Sequence, residues 1–85
     1  MFENKTVIIT GGASGMGLLS GQCFAKEGAN VLLVDINEKA LEQRCGEIRE
    51  NGGKCSFAVA DVRDYKQVCA AKDKAIEEFG SIDIL

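Results

Sequence analysis

Histidine and proline are both absent from this chain of 85 residues, and tyrosine occurs only once. Without histidine, the sequence has no Ser-His or Cys-His pair for nucleophilic catalysis, and it lacks a common zinc ligand. The chain also lacks internal repeats, low-complexity runs and any linker-like stretch. We therefore expect residues 1–85 to belong to a single domain.

Long apolar runs and an excess of basic residues are missing as well. No stretch approaches the roughly 20 apolar residues of a membrane span. Ten basic side chains against thirteen acidic ones give a net charge of −3. These features argue against a membrane anchor and against general binding to nucleic acid. The first residues reach Glu3 without the basic flank and cleavage site of a signal peptide, so we expect a cytoplasmic protein.

The four cysteines are too widely spaced to suggest a metal centre. Cys23, Cys45, Cys55 and Cys69 form no CxxC pair, and a disulfide framework is typical of small exported domains rather than of this chain. We expect free thiols that serve mostly as small core residues. We predict no metal site.

Extended and helical patterns alternate along the sequence. Short apolar runs at 5–10, 30–35 and 54–60 predict strands, and residues 81–85 resemble the start of a fourth. Helical spacing of apolar residues predicts helices over about 15–27, 38–51 and 65–79, with Asn37 and Asp64 as N-caps and glycines at the ends. The order βαβαβαβ, with long connections, predicts an α/β fold with a parallel sheet.

Four glycines fall within the eight residues TGGASGMG, at 10–17, between the first predicted strand and the first helix. The N–H groups that open a helix lack internal partners, and the helix dipole adds positive charge there. Glycines let the loop turn tightly and let phosphate oxygens approach without a Cβ in the way. The pattern predicts a phosphate-binding loop; the alternative is a tight turn with close packing and no ligand.

Asp35 ends the second predicted strand, 18 residues beyond Gly17. An acidic side chain at this place can accept hydrogen bonds from the adenosine ribose hydroxyls of a dinucleotide. It would repel the 2′-phosphate of NADP, and positions 13, 14, 36 and 37 supply no cation to hold that phosphate. The charge pattern favours NAD. The alternative is a solvated acid at the end of a strand, or a helix cap.

Together these segments resemble the short-chain dehydrogenases/reductases. The spacing Thr10-Gly11-xxx-Gly15-x-Gly17 is similar to the TGxxxGxG motif of that family. LLVDIN at 32–37 resembles its second strand with the acid that selects the cofactor, and ADVRD at 60–64 resembles the segment that holds the adenine ring. FGSIDIL at 79–85 is similar to the lead-in to the fourth strand. The resemblance covers the whole chain.

The resemblance implies a Rossmann-like, doubly wound parallel sheet that binds NAD. Right-handed crossovers give the strand order 3-2-1-4, with the first two helices on one face and the third on the other. In this family Gly11, Gly15 and Gly17 would shape the pyrophosphate loop, Asp35 would bind the ribose, and Asp61 would read the adenine. The full set of implied cofactor-binding residues is Gly11, Ser14, Gly15, Met16, Gly17, Asp35, Ile36, Asp61 and Val62. For Asp61 the alternative is a loop acid that helps to cap the third helix.

The catalytic residues of the family have no counterpart in this sequence. The family uses a tyrosine with a lysine four residues later, whereas the position four beyond Tyr65 is Cys69, and Lys66 is adjacent to the tyrosine. The resemblance therefore implies the N-terminal part of a single NAD-binding domain, with the catalytic serine, tyrosine and lysine expected after Leu85. The whole enzyme would transfer hydride between NAD(H) and an alcohol or ketone, as a homo-oligomer (dimer or tetramer). The chain alone would be inactive; the alternative is a non-catalytic nucleotide-binding fragment or an interaction module.

Overall fold

Strands and helices alternate strictly along the chain. The computed structural model describes residues 3–12, 15–61 and 63–80. The elements in order are β1 (Thr6–Thr10), α1 (Gly15–Lys26), β2 (Asn30–Asp35), α2 (Glu38–Glu50), β3 (Lys54–Val59) and α3 (Tyr65–Phe79). All six elements were predicted from the sequence, and each predicted end lies within one residue of the observed end. The predicted fourth strand, at 81–85, lies outside the described residues.

The three strands form a parallel sheet in the order β1-β2-β3. Leu32 of β2 lies between Ile8 of β1 and Ser56 of β3. β2 is the central strand, and the four apolar residues 31–34 are at most 1% exposed. This agrees with its continuously apolar sequence, which is typical of a strand covered on both faces. The structure confirms the 3-2-1 part of the predicted order; the place of a fourth strand lies outside the described residues.

Helices cover both faces of the sheet, as the sequence predicts. One face carries a cluster in which Ala25 of α1 and Leu41, Cys45 and Ile48 of α2 pack on side chains of all three strands. On the other face, Ala71 and Ala75 of α3 pack against a second cluster formed by the intervening strand residues. Because side chains alternate along a strand, each strand contributes to both layers.

Side-chain caps and glycines fix the ends of α2 and α3. The Asn37 side chain accepts a hydrogen bond from the Ala40 N–H (3.1 Å), and the Asp64 carboxylate accepts one from the Lys66 N–H (3.0 Å). Both predicted N-caps are therefore confirmed. Gly80 ends α3 with φ = 86°, a left-handed conformation that glycine adopts without strain.

All four cysteines are free thiols, as expected, but only two of them are core residues. Cys45 and Cys55 are buried, Cys69 is half-buried and Cys23 is exposed. Burial, with a further contribution from Cys45, raises the pKa of the Cys55 thiol. Over the described ranges, no group of three metal-ligating side chains occurs, and no helix is long and apolar enough to cross a membrane.

Candidate functional site

The carboxyl ends of the three strands meet along one edge of the sheet, and two backbone hydrogen bonds hold the segments that follow them side by side. The Gly12 N–H donates to the Val34 carbonyl (3.1 Å), which ties the glycine loop after β1 to the end of β2. The Ala60 N–H donates to the Asp35 carbonyl (2.9 Å), which ties the segment after β3 to the same place. The glycine loop, Asp35 and Asp61 therefore line one edge, which is where open α/β sheets bind ligands.

Gly11 and Gly15 have positive φ angles of 66° and 61°. Side chains other than glycine rarely adopt this conformation, so both positions favour glycine for the path of the backbone. A Cβ built at either position would meet no atom of the described residues within 4 Å. The space beside these two residues is therefore open, as a loop that receives a ligand against its backbone requires.

Gly17 and Gly21 let α1 lie close to the glycine loop and to the sheet, respectively. A Cβ on Gly17 would collide with the Gly11 carbonyl oxygen, and one on Gly21 would lie 2.9 Å from a methyl carbon of Leu33. Gly17 therefore lets the start of α1 lie against the glycine loop, and Gly21 lets the helix lie against the sheet. Gly12 is also buried, and a Cβ built on it would lie 2.9 Å from the Cβ of Leu33. Gly12 therefore supports the loop through packing.

The N-terminus of α1 opens directly from this loop. The helix begins at Gly15, and its first turn contains no acidic side chain. An anion placed there meets the positive end of the helix dipole and no opposing carboxylate from that turn. Of the residues implied for this contact, Met16 has its backbone in the first turn of α1, whereas Ser14 lies outside the described residues.

Asp35 is half-buried at the end of β2, beside the loop. Its Oδ1 accepts hydrogen bonds from the Ile36 N–H (2.7 Å) and, more weakly, from the Asn37 N–H (3.4 Å). The cap of α2 is Asn37, so the structure does not support the alternative that Asp35 is the helix cap. The neighbouring Ile36 is 66% exposed, which places a large apolar side chain at the open edge.

Asp61 is held in place by Arg63, a pairing that the sequence argument missed. The Asp61 Oδ1 accepts from the Arg63 N–H (2.9 Å) and Nε (3.1 Å), and Oδ2 accepts from a terminal guanidinium nitrogen (2.9 Å). The side-chain hydrogen bond from Arg63 is the main reason that the pKa of Asp61 falls from 3.8 to about 2. The signal available in the sequence was an arginine two residues after the acid, within DVRD. Val62, the other residue implied for adenine, lies outside the described residues.

The backbone of Asp61 also contributes to the start of α3. Its N–H donates to the Gln67 side chain (2.7 Å), and its carbonyl accepts from the Asp64 N–H (2.9 Å). The Gln67 amide in turn donates to the Asp64 carboxylate (3.1 Å). The capping carboxylate is that of Asp64, so the Asp61 carboxylate is engaged by Arg63 and not by the helix.

Tyr65, the single tyrosine, is 81% exposed at the first residue of α3. Cys69, four residues later, is half-buried. Lys66 is exposed and follows the tyrosine directly, so it does not lie on the same face of the helix. These residues do not form a tyrosine-lysine pair of the catalytic kind.

Comparison with known proteins gives a consistent assignment. A family model described as short chain dehydrogenase matches residues 5–85. An uncharacterized oxidoreductase, YxbG, of Bacillus subtilis is 43% identical over 98% of this chain, which spans 30% of that protein. A hydroxysteroid dehydrogenase from Escherichia coli superposes with a TM-score of 0.96 at 34% identity, over 99% of this chain and 36% of that one.

A metagenomic short-chain oxidoreductase crystallised with NADP has the same fold, with a TM-score of 0.91 at 21% identity over 99% of this chain and 38% of that one. The chain thus spans about a third of the length of the proteins it matches. The match of the family model to nearly every residue, together with the glycine loop, agrees with the resemblance drawn from the sequence motifs. The chain belongs to the short-chain dehydrogenase family.

Proposed function

We propose that this chain is the cofactor-binding part of an NAD-dependent oxidoreductase. The observation that carries the proposal is the edge of the sheet where the glycine loop, Asp35 and Asp61 come together. Gly11 and Gly15 leave open space beside the loop, at the positive end of α1. A pyrophosphate fits there, because it needs backbone N–H groups and close approach more than it needs cationic side chains.

The adenosine half of the cofactor would extend from this loop across the ends of β2 and β3. Asp35 would accept hydrogen bonds from the ribose hydroxyls, and Ile36 offers an apolar surface beside the base. Asp61 and Val62 would recognise the adenine ring. The Asp61 carboxylate would stay ionised, because Arg63 lowers its pKa. Ser14 and the Met16 backbone would complete the contacts to the phosphates.

The acid at position 35 is the reason for choosing NAD over NADP. A 2′-phosphate would meet the Asp35 carboxylate, and neither Ile36 nor Asn37 offers a positive charge to offset the repulsion. The fold does not by itself exclude NADP, since one structural neighbour holds NADP. The preference therefore depends on local charge, and it is open to direct measurement.

The whole protein would oxidise an alcohol or reduce a ketone as a homo-oligomer, with its catalytic serine, tyrosine and lysine after Leu85. Hydride transfer to the nicotinamide is chemistry that the cofactor supplies when it is bound. A hydroxysteroid dehydrogenase among the similar structures supports a substrate that carries a hydroxyl group. Residues 1–85, as the N-terminal part of that domain, would then bind and orient the adenosine and pyrophosphate parts of the cofactor.

Paired titrations of the intact protein with NAD and NADP, at one ionic strength, test the proposal. Hydrogen bonds to a charged acceptor contribute about 1.5–3 kcal/mol. With NADP the same carboxylate would repel the 2′-phosphate instead. At about 1.4 kcal/mol for each tenfold change in affinity, we expect a preference for NAD of roughly 100-fold or more. Asp35→Ala should weaken the binding of NAD and narrow the difference between the two affinities. The further change Ile36→Arg should shift the preference towards NADP.

Glu38→Ala is the matched control, since it removes an exposed acid three residues further along, in the first turn of α2. This variant should keep the preference of the unmodified protein. Equal affinities for the two cofactors in the unmodified protein would show that Asp35 does not reach the ribose. The assignment of NAD would then have to be withdrawn.

A second candidate is a nucleotide-binding module without catalysis. It is favoured by the exposed position of Tyr65 and by the missing lysine four residues after it. In this case the 85 residues bind adenine nucleotides and carry out no hydride transfer. The two candidates agree on the adenosine site and differ only in whether further residues complete the chemistry.

A further inference from the structure

The outward side of β3 faces no other strand among the described residues. β3 pairs with β2 on one side only among the described strands. In a parallel strand the backbone groups of alternate residues point to opposite sides, and the Ala60 N–H points to β2, because it donates to the Asp35 carbonyl. The residues that alternate with it, Cys55, Phe57 and Val59, therefore direct their backbone groups away from the sheet.

Arg49 takes the first of these outward carbonyls. Arg49 lies in the last turn of α2, on the face of the sheet that carries the larger core cluster. Its Nε donates to the Cys55 carbonyl at 2.7 Å. The side chain thus reaches from one face of the sheet to its edge and satisfies an acceptor that a neighbouring strand would otherwise use.

Lys74 takes the next outward carbonyl, from the opposite face. It lies in α3, and its ammonium donates to the Phe57 carbonyl. The same nitrogen lies 5.4 Å from the centroid of the Phe57 ring and 3.9 Å from a carboxylate oxygen of Glu78, one helical turn further on. Three contacts therefore hold the ammonium at the edge of the strand.

We propose that Arg49 and Lys74 form an edge clasp that prevents β3 from pairing with the β3 of a second copy of this chain. A second strand would need the Cys55 and Phe57 carbonyls as acceptors, and the edge clasp occupies both. It would also have to accommodate two buried positive charges. The edge needs this protection, because Val59 is 47% exposed and Phe57 is half-buried, so the strand offers apolar side chains beside its outward N–H groups.

The test is the variant Arg49→Met/Lys74→Met, which keeps an unbranched apolar stem at both positions and removes both donors. We expect its self-association, measured by sedimentation at several concentrations, to tighten at least about tenfold relative to the unmodified chain. Hydrogen exchange locates the contact. The Phe57 and Val59 amides should become protected as the concentration rises, and the Leu32 and Leu33 amides of the central strand should stay protected throughout.

The control variant, Lys39→Met/Lys66→Met, also removes two positive charges, one each from exposed positions on α2 and α3. It should associate like the unmodified chain. The proposal is overturned if the control associates as strongly as the test variant, or if the test variant associates without protection of the Phe57 and Val59 amides. If the double variant loses protection in the central strand, Lys74→Met alone provides the test, with Lys74→Arg expected to behave like the unmodified chain.

Discussion

Individual glycines in the loop after β1 have different physical roles. Gly11 and Gly15 are needed for their positive φ angles, and a side chain at either would meet open space. Gly17 has no positive φ, but a Cβ there would collide with the Gly11 carbonyl oxygen. The first kind of glycine controls the path of the backbone, and the second controls how closely the helix approaches the loop.

Gly17→Ala should therefore destabilise the fold, although alanine is the better helix former. Forcing a methyl group against a backbone carbonyl typically costs about 1–3 kcal/mol, which outweighs the gain in helix propensity. Gly46→Ala is the matched control, because a Cβ at this position inside α2 meets nothing within 4 Å. It should stabilise the chain by about 0.5–1 kcal/mol. Urea unfolding measures both, and equal effects for the two variants would contradict the assigned contact.

Asp61 gives a prediction that depends on pH. Its pKa is lowered from 3.8 to about 2, mainly by the hydrogen bond from the Arg63 side chain. A lowered pKa in the folded state contributes stability that is present above the unfolded pKa and is lost as the pH falls through the folded pKa. We therefore expect the stabilisation from this pair to be complete above about pH 4 and to disappear towards about pH 2.

Substitution of Arg63 tests this pair directly. In Arg63→Ala the pKa of Asp61 should rise towards 3.8 but remain below it, because the backbone N–H of residue 63 still donates to Oδ1. Arg63→Lys, which keeps a positive charge, should give an intermediate value. Titration of the Asp61 carboxyl carbon by NMR is the measurement. An unchanged pKa in Arg63→Ala would show that the guanidinium is not the cause of the shift.

At the scale of helices and strands, the sequence was informative because its local signals agree with one another. The apolar run at 31–34 is buried on both faces, as a central parallel strand requires. The buried stripe of Leu41, Cys45 and Ile48 on α2 follows from helical periodicity, and Asn37 and Asp64 are caps because their side chains can satisfy helix N–H groups. These features depend on neighbours in sequence, so periodicity and capping rules were sufficient to predict them.

Contacts between distant residues were beyond that reasoning. The Arg49 bond to Cys55 and the Lys74 bond to Phe57 join helices to a strand edge, and nothing in the pattern of either helix marks these two cations among the others. The Arg63 pairing with Asp61 is local, yet an exposed arginine near an acid is too common to predict a bond. In the candidate site, the sequence indicated the glycines and Asp35 through their spacing, and the structure brings their backbones together. Ligand contacts at those residues remain predictions.

The cap of α3 supplies a prediction at this scale. Asp64→Ala removes the acceptor of the Lys66 N–H and also the partner of the Gln67 side chain, which itself holds the Asp61 N–H. Loss of an N-cap costs about 0.5–2 kcal/mol, and we expect the upper part of that range here because the network extends to the loop. Asp73→Ala, an exposed acid within α3, should change stability by no more than about 0.5 kcal/mol. Urea unfolding of both variants is the measurement, and a loss of equal size in both would contradict the capping role.

Across the whole molecule, the groups with functional potential are concentrated at one edge of the sheet, where the three strand ends meet. A groove of about 620 Å³ lies elsewhere, between α1 and the end of α2, where it is lined by Leu19, Cys23 and Ile48 among others. It is wide and open, and it contains none of the residues implied for the cofactor. This groove and the proposed site are therefore in different places, and loop conformation, helix polarity and the two acids favour the carboxyl edge for the proposed site.

The separation of binding from chemistry leads to a prediction for the 85-residue chain as a whole. The glycine loop, Asp35 and Asp61 are the residues proposed above to bind the adenosine and pyrophosphate, whereas Tyr65 is exposed and has no lysine four residues after it. We therefore expect the purified chain to bind ADP-ribose and AMP weakly in calorimetric titrations. Asp35→Ala should weaken the binding of ADP-ribose, and Glu38→Ala should have little effect on it. No NADH should form from NAD with any secondary alcohol, because the sequence contains no tyrosine with a lysine four residues later to take the hydroxyl proton. Turnover by the pure chain would contradict this division of roles, and a failure to bind any adenine nucleotide would instead favour an interaction module in which the glycine loop serves packing alone.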